Sequence, residues 1–278
     1  MTQLNQEIKF DDSFLFSGDD LRVTDNIIVK HPSVDEIIHL SESYNNTRLY
    51  WNIVSTIICD PYLNMVMLDD YGLNYLEVTP FDVFAIQWAK CEDLYKEKSE
   101  MYDKYGLHPL DLIKKALNFF LGFHNFNLIQ EDYQFYLVDE DSKVDGIYKY
   151  VVNKEMYNMM SEFVFNINNL TRDDRINPAN ESTRKMLVED MREEQNRKLR
   201  KNSEEDYKDY IGITSKSLCF GGNGTVSVFN YKQLKIYQLF SGMKITDRKE
   251  NSNQLISGIY AGNIKSEGIN KKDLKWKE

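Results

Sequence analysis

The chain has 278 residues, 34 basic against 44 acidic side chains for a net charge of −10, and 42% hydrophobic and 28% charged residues. That balance has enough apolar residues for a sizeable core and excludes collagen-like, low-complexity and disordered readings. The acidic excess argues against sequence-independent nucleic-acid binding, which relies on basic side chains displacing counterions from phosphate.

Mean hydropathy is −0.54, and no unbroken apolar run approaches the roughly 18 residues a membrane span needs. Residues Met1 to Phe10 hold no apolar core of a secretory signal. Cys59, Cys91 and Cys219 stand far apart without a CxxC pair, which favours buried thiols in a reducing compartment over a disulfide framework or zinc site. Together these features predict a cytoplasmic location with no membrane partner.

In chain order, residues 1–14 read as a flexible arm, and Ser17-Gly18-Asp19-Asp20 supplies a turn. Leu21 to Thr24 and Ile27 to Lys30, joined by Asp25-Asn26, predict a β-hairpin. Ser33 with Glu36 fits a capping box, so a helix is predicted from Val34. Helical periodicity then dominates to about Tyr105. Leu49, Ile53, Thr56 and Ile57 share one face. Breaks are expected at Asp60-Pro61 and Tyr71-Gly72, and Thr79-Pro80 opens a helix burying Phe81, Phe84, Ala85 and Trp88. Pro109 to Gly122 is a further amphipathic helix, with Leu110, Ile113, Leu117 and Phe120 on one side.

Between His124 and Val152 the period falls to two, predicting two or three short strands with a turn over Asp139 to Gly146. Asn153 caps a helix expected to reach Leu170. Thr171 to Asn180 is polar and contains a proline, a plausible boundary. Glu181 to Asn202 is a helix with seven basic and five acidic residues and few apolar ones. Such a helix is exposed, bridging or partner-seeking, and Met186, Leu187 and Met191 form its thin apolar stripe. Gly221 to Gly224 reads as a linker; it lacks the lysine and hydroxyl of a phosphate loop. Asn230 is expected to cap an amphipathic helix carrying Leu234, Ile236, Leu239 and Phe240, and a separate helix is expected near Asn251 to Tyr260.

The fold class predicted is α+β and mainly helical, with an N-terminal hairpin, a small antiparallel sheet and a C-terminal helical unit. The domain reading is an arm (1–14), an N-terminal domain (15–170), a polar helical connector (171–225) and a C-terminal unit (226–278). No catalytic motif emerges. Asp19-Asp20 and Asp69-Asp70 read as solvated turn residues, because adjacent side chains diverge. His31, His39, His108 and His124 lack metal-pair spacing. No cofactor or metal is expected. The 18 tyrosines have a compositional explanation in an AT-rich coding sequence, whereas Phe81, Phe84, Trp88, Phe120 and Phe163 belong to apolar faces.

Near the C-terminus, Tyr231-Lys-Gln-Leu234, the helix end Ser257-Gly-Ile-Tyr-Ala-Gly262 and the close Ile269-Asn-Lys-Lys-Asp-Leu-Lys-Trp276 resemble the end of tail proteins of phages from Gram-positive hosts. Leu15-Phe-Ser-Gly-Asp-Asp-Leu and Ile28-Val-Lys-His-Pro-Ser-Val-Asp-Glu-Ile37 resemble the start of the same set, which is similar to tail assembly chaperones. The resemblance implies a non-enzymatic role in host cytoplasm. It would keep a helical tape-measure protein soluble while tail-tube subunits assemble, and homo-oligomers are compatible with it. Candidate partner-binding residues are then Met186, Leu187, Met191, Leu234, Ile236 and Phe240. A structural virion component is one alternative. A regulator, or an enzyme whose site forms only on folding, is the other.

Overall fold

The computed structural model describes residues 9–40, 46–96, 107–172, 178–200, 209–221 and 226–265, with 267, 269–270 and 273–275 of the tail; side chains of 198–200 are outside this description. Chain order is α1 (Asp12–Ser17), β1 (Leu21–Arg22), β2 (Ile28–Val29), α2 (Val34–Ile38), α3 (Asn46–Ile58), α4 (Met65–Asp70), α5 (Pro80–Lys96) and α6 (Pro109–Leu121). There follow β3 (Phe126–Glu131), β4 (Gln134–Asp139), β5 (Lys143–Val144), β6 (Ile147–Tyr148), β7 (Val151–Val152), α7 (Lys154–Ile167), α8 (Glu181–Arg200), α9 (Tyr210–Gly221) and α10 (Ile236–Tyr260). This is a mainly helical α+β fold with small antiparallel sheets. No helix of the described residues is long and apolar enough to cross a membrane.

Helix α3 is the centre, packing against α2, α5, α6, α7 and α9. Its inward residues Leu49, Tyr50, Ile53 and Ile57 are fully buried. A helix ends with carbonyls that have no partner within it. Here a neighbour supplies donors: Tyr157 Oη donates to the Ile57 carbonyl at 3.0 Å and Ser161 Oγ to that of Ile58 at 2.7 Å, both from α7. Cys59 then turns the chain at φ 44° ahead of Asp60-Pro61.

The caps read at Ser33 and Asn153 are present. Ser33 accepts from the Glu36 N–H at 3.2 Å while Glu36 accepts from the Ser33 N–H at 2.8 Å, and Asn153 accepts from the Met156 N–H at 2.9 Å. Helix α6 stops at Gly122, whose φ of 72° suits glycine. Helix α7 ends at Ile167, short of Leu170, with Asn168 as its C-cap. The N-terminal hairpin pairs Leu21 with Val29, and the larger sheet has the order β3-β4-β7. The Asp139 to Gly146 stretch, expected as a plain turn, itself holds a short helical turn and half of the β5-β6 hairpin.

Three expectations are corrected. Residues 9–14 of the expected arm pack on the core: Phe10 and Phe14 lie 5.5 and 6.2 Å from the Phe163 ring, centroid to centroid. Residues 226–278 are not a unit apart, because Ile236, Tyr237 and Leu239 join the same buried cluster as Tyr50 and Phe163. The two expected C-terminal helices are one helix of 25 residues. Apolar periodicity lapses between Phe240 and Asn251 because that stretch leaves the core, and neither proline nor glycine geometry breaks it. The predicted ends near Gly106 and the Gly221 to Gly224 linker fall largely outside the described residues.

Candidate partner-binding groove

An open hollow of about 420 Å³ runs between α2, the start of α3, α9 and the 226–231 segment. Each wall has a local cause. The capping box of α2 sets Val34 in its first turn, and Ile38 follows one turn later on the groove side. The opposite segment is held by backbone pairing. The Val34 N–H donates to the Leu234 carbonyl at 2.9 Å, the Ile236 N–H donates to the Pro32 carbonyl at 3.0 Å, and Ser33 bridges Lys235. That pairing sets Tyr231 beside α2.

Asn230 does not cap a long helix; it closes a turn, accepting from the Ser227 N–H at 2.7 Å. The turn leaves Val228 on the groove rim and Phe229 beside it, 91% exposed. On the third wall Asp209 caps α9, accepting from the Gly212 N–H at 2.9 Å. A side chain at Gly212 would crowd that carboxylate, so glycine leaves room for the cap. Ile211, Ser215 and Leu218 recur at helical spacing and are buried, while Lys216, Cys219 and Phe220 complete the lining. Ser215 Oγ donates to the Ile211 carbonyl at 2.7 Å, which satisfies its hydroxyl within the helix and keeps the wall apolar. Phe220 is 79% exposed.

Lys216 is exposed, and among the described residues it has no carboxylate partner. Burial pushes the thiols of Cys91 and Cys219 up and that of Cys59 to about 12, the reverse of an activated nucleophile. His108 caps α6 by accepting from the Leu110 N–H at 3.2 Å, and His39 faces Asp35 at 3.4 Å. Among the described residues no His, Cys, Asp and Glu side chains gather as a metal site. A second, more polar hollow holds Lys30, Asp35, Glu36 and His39, but Lys30–Glu36 and His39–Asp35 already pair.

None of the six candidate residues lines the groove. Ile236 is fully buried and offers a partner no surface. Leu234, Phe240 and Met191 are half-buried against the core, Phe240 lying 6.1 Å from the Trp51 ring. Leu187 is half-buried, and Met186 is 64% exposed on the outer side of α8. The expected stripe on α8 is therefore split. Arg184 and Val188 are buried, Met191 is half-buried, and Met186 points away. Asp69 and Asp70, expected as free turn residues, receive the Arg192 guanidinium at 3.2 and 2.8 Å. Two carboxylates at the C-terminal end of α4 oppose its dipole, and the arginine offsets both.

Sequence reasoning missed the groove because its walls come from three distant stretches. The Ser-Val-Phe-Asn turn at 227–230 is the one local signal, a polar turn presenting two apolar side chains. No family model matches the chain, and no curated protein or solved structure matches it either.

Proposed function

We propose that this chain is a non-enzymatic phage tail morphogenesis factor of the tail assembly chaperone kind, which holds an amphipathic helix of the tape-measure protein in the groove between α2 and α9. One observation carries the reading. Two of the motifs that bear the resemblance, Ile28–Ile37 and Tyr231–Leu234, pair through the Val34 N–H and the Leu234 carbonyl, and together they supply Val34 and Tyr231 to the same groove. A helix laid into an apolar groove buries anchors spaced three and four apart. A cavity of this size takes a few such side chains, and the exposed Phe220, Val228 and Phe229 extend the apolar surface around it. Lys216 at the rim favours an occupant whose apolar stripe is flanked by an acidic residue. The net charge of −10 keeps the loaded chaperone soluble.

Co-expression with the tape-measure protein and capture of the complex tests the reading. The wild-type chain is expected to retain the partner, and Val228→Asp, which sets a charge on the groove rim, is expected to lose it. No complex with the wild-type chain, or equal capture by Val228→Asp, sinks the proposal.

A further inference from the structure

Helix α8 is held to the body by little. It packs mainly against α4. Among residues 181–197 only Arg184 and Val188 are buried, and from Glu193 to Arg197 every side chain is exposed. A helix so polar all round draws little stability from apolar burial. Its hold is a row at i, i+4 and i+8, in which Arg184, Val188 and Arg192 stand one turn apart on one face. The row meets a matching one. On α4, Val66 lies one turn before Asp69 and Asp70 on the same face. The Arg192 guanidinium reaches Asp70 at 2.8 Å and Asp69 at 3.2 Å. Both pairs are partly exposed, where ion pairs contribute little.

The fit is also imperfect. Arg184 turns Nε and Nη2 back to Glu181 of its own helix, at 2.8 Å each. Its buried Nη1 makes no hydrogen bond and faces Asp69 Oδ1 at 3.9 Å, beyond hydrogen-bond reach. A buried donor short of its acceptor weakens the docked state. On either side of α4 the chain leaves Leu63, Tyr71, Leu73 and Leu76 exposed, apolar surface that α8 does not cover.

We propose that α8 is a displaceable internal occupant of a docking face on α4, and that the face takes in its place a helix of another protein. That helix carries two arginines eight positions apart with an apolar residue midway. Charge selects it. Without the arginines, Asp69 and Asp70 stand side by side at the C-terminal end of α4, where the helix dipole disfavours anions, and a cationic helix offsets both. Apolar residues outside the row select further, because Tyr71 and Leu73 are open to them. Docked α8 competes with the partner, so the partner's apparent affinity falls with the fraction of chains whose face is open. The face is separate from the groove between α2 and α9, which α8 does not line.

Fluorescence anisotropy of a labelled peptide of residues 181–200, which carries the arginine row, tests this on the full chain at low salt. The wild type is expected to bind the peptide weakly. Arg184→Glu with Arg192→Glu, which releases the chain's own α8, is expected to bind it at least about tenfold more tightly with the rest of the fold unchanged. Adding Asp69→Lys and Asp70→Lys to that chain is expected to abolish binding, as is replacing both arginines of the peptide by glutamate. If the doubly reversed chain misfolds, Arg192→Gln decides in the same assay, with a gain of about threefold expected. Equal binding, or none, by the wild-type and released chains overturns the proposal, and so does binding that survives the reversal of Asp69 and Asp70. A wild type that sediments as a dimer and becomes monomeric with Arg192→Gln also overturns it, since the face would then belong to α8 of a second copy.

Discussion

Lys235 reaches across 204 positions of chain to His31, its Nζ donating to the His31 carbonyl at 2.6 Å. The contact belongs to a seam that ties α10 to the start of the chain. Gln238 Nε2 donates to the Phe16 carbonyl at 2.9 Å, the Tyr237 hydroxyl donates to Asp12, and Asp20 accepts from the His31 N–H at 2.7 Å. Three of these polar links and two backbone pairs close the two ends of the fold on each other.

Gly18 sits in this seam at φ 80°, and a Cβ there would meet Lys235 Cγ at 2.6 Å. Gly122 has a similar φ of 72° with open space around it. Gly122→Ala should cost about 1 kcal/mol for the left-handed backbone alone. Gly18→Ala should cost roughly 2–3 kcal/mol, because the Lys235 stem must also move. Urea denaturation of both variants checks the order; equal losses would place no strain on the seam.

His31 is fully buried, and its Nε2 accepts from the Tyr237 N–H at 3.4 Å, an arrangement only the neutral ring allows. Burial, and then the Lys235 charge, hold its pKa down at about 4 from 6.5. The unfolded chain therefore binds the proton first on acidification. The stability contributed by the neutral ring is complete above pH 6.5 and declines as pH falls from there towards 4, by up to about 3 kcal/mol. His31→Gln should flatten the pH dependence of unfolding in that window, and an unchanged slope would show that other groups set it.

Helix α8 is held to α4 by Arg184 and Val188 and by the Arg192 clamp on Asp69 and Asp70. Exposed ion pairs are screened by salt, whereas the core beneath α3 is not. Amide exchange in α8 should accelerate in 1 M salt more than in α3, and Arg192→Gln should remove most of that difference. Salt-insensitive protection of α8 would mean that Val188 and Met191 hold it alone.

Tyr50 and Asn168 are both buried, with the Tyr50 hydroxyl donating to Asn168 Oδ1 at 2.8 Å. Tyr50→Phe leaves the amide oxygen without that donor, while Asn168 Nδ2 still donates to the Val164 carbonyl at 2.8 Å. The expected loss is about 1–2 kcal/mol, read as a shift of the denaturation midpoint at unchanged slope. A neutral substitution would mean that Asn168 finds another donor.

What the sequence determined by itself is local. Ser33 with Glu36, Thr79-Pro80, Pro109 with Gly122, and Asn153 each set a helix boundary within a few residues, and those boundaries stand where the residues predict. Leu49, Ile53, Ile57, Phe84 and Phe163 identified themselves as core by periodicity alone. The tertiary structure decided which apolar and charged side chains meet across long separations. Ile236 looks like an exposed anchor in sequence and is core because its own N–H pairs with Pro32 while Val34 pairs with Leu234 beside it. Asp69 and Asp70 look solvated and are ion-paired because α8 returns to α4. Val34, Tyr231 and Phe220 share a groove only after α2, the 226–231 segment and α9 converge. Periodicity reports which face of an element is apolar, and it carries no information on which distant element will cover that face or leave it open.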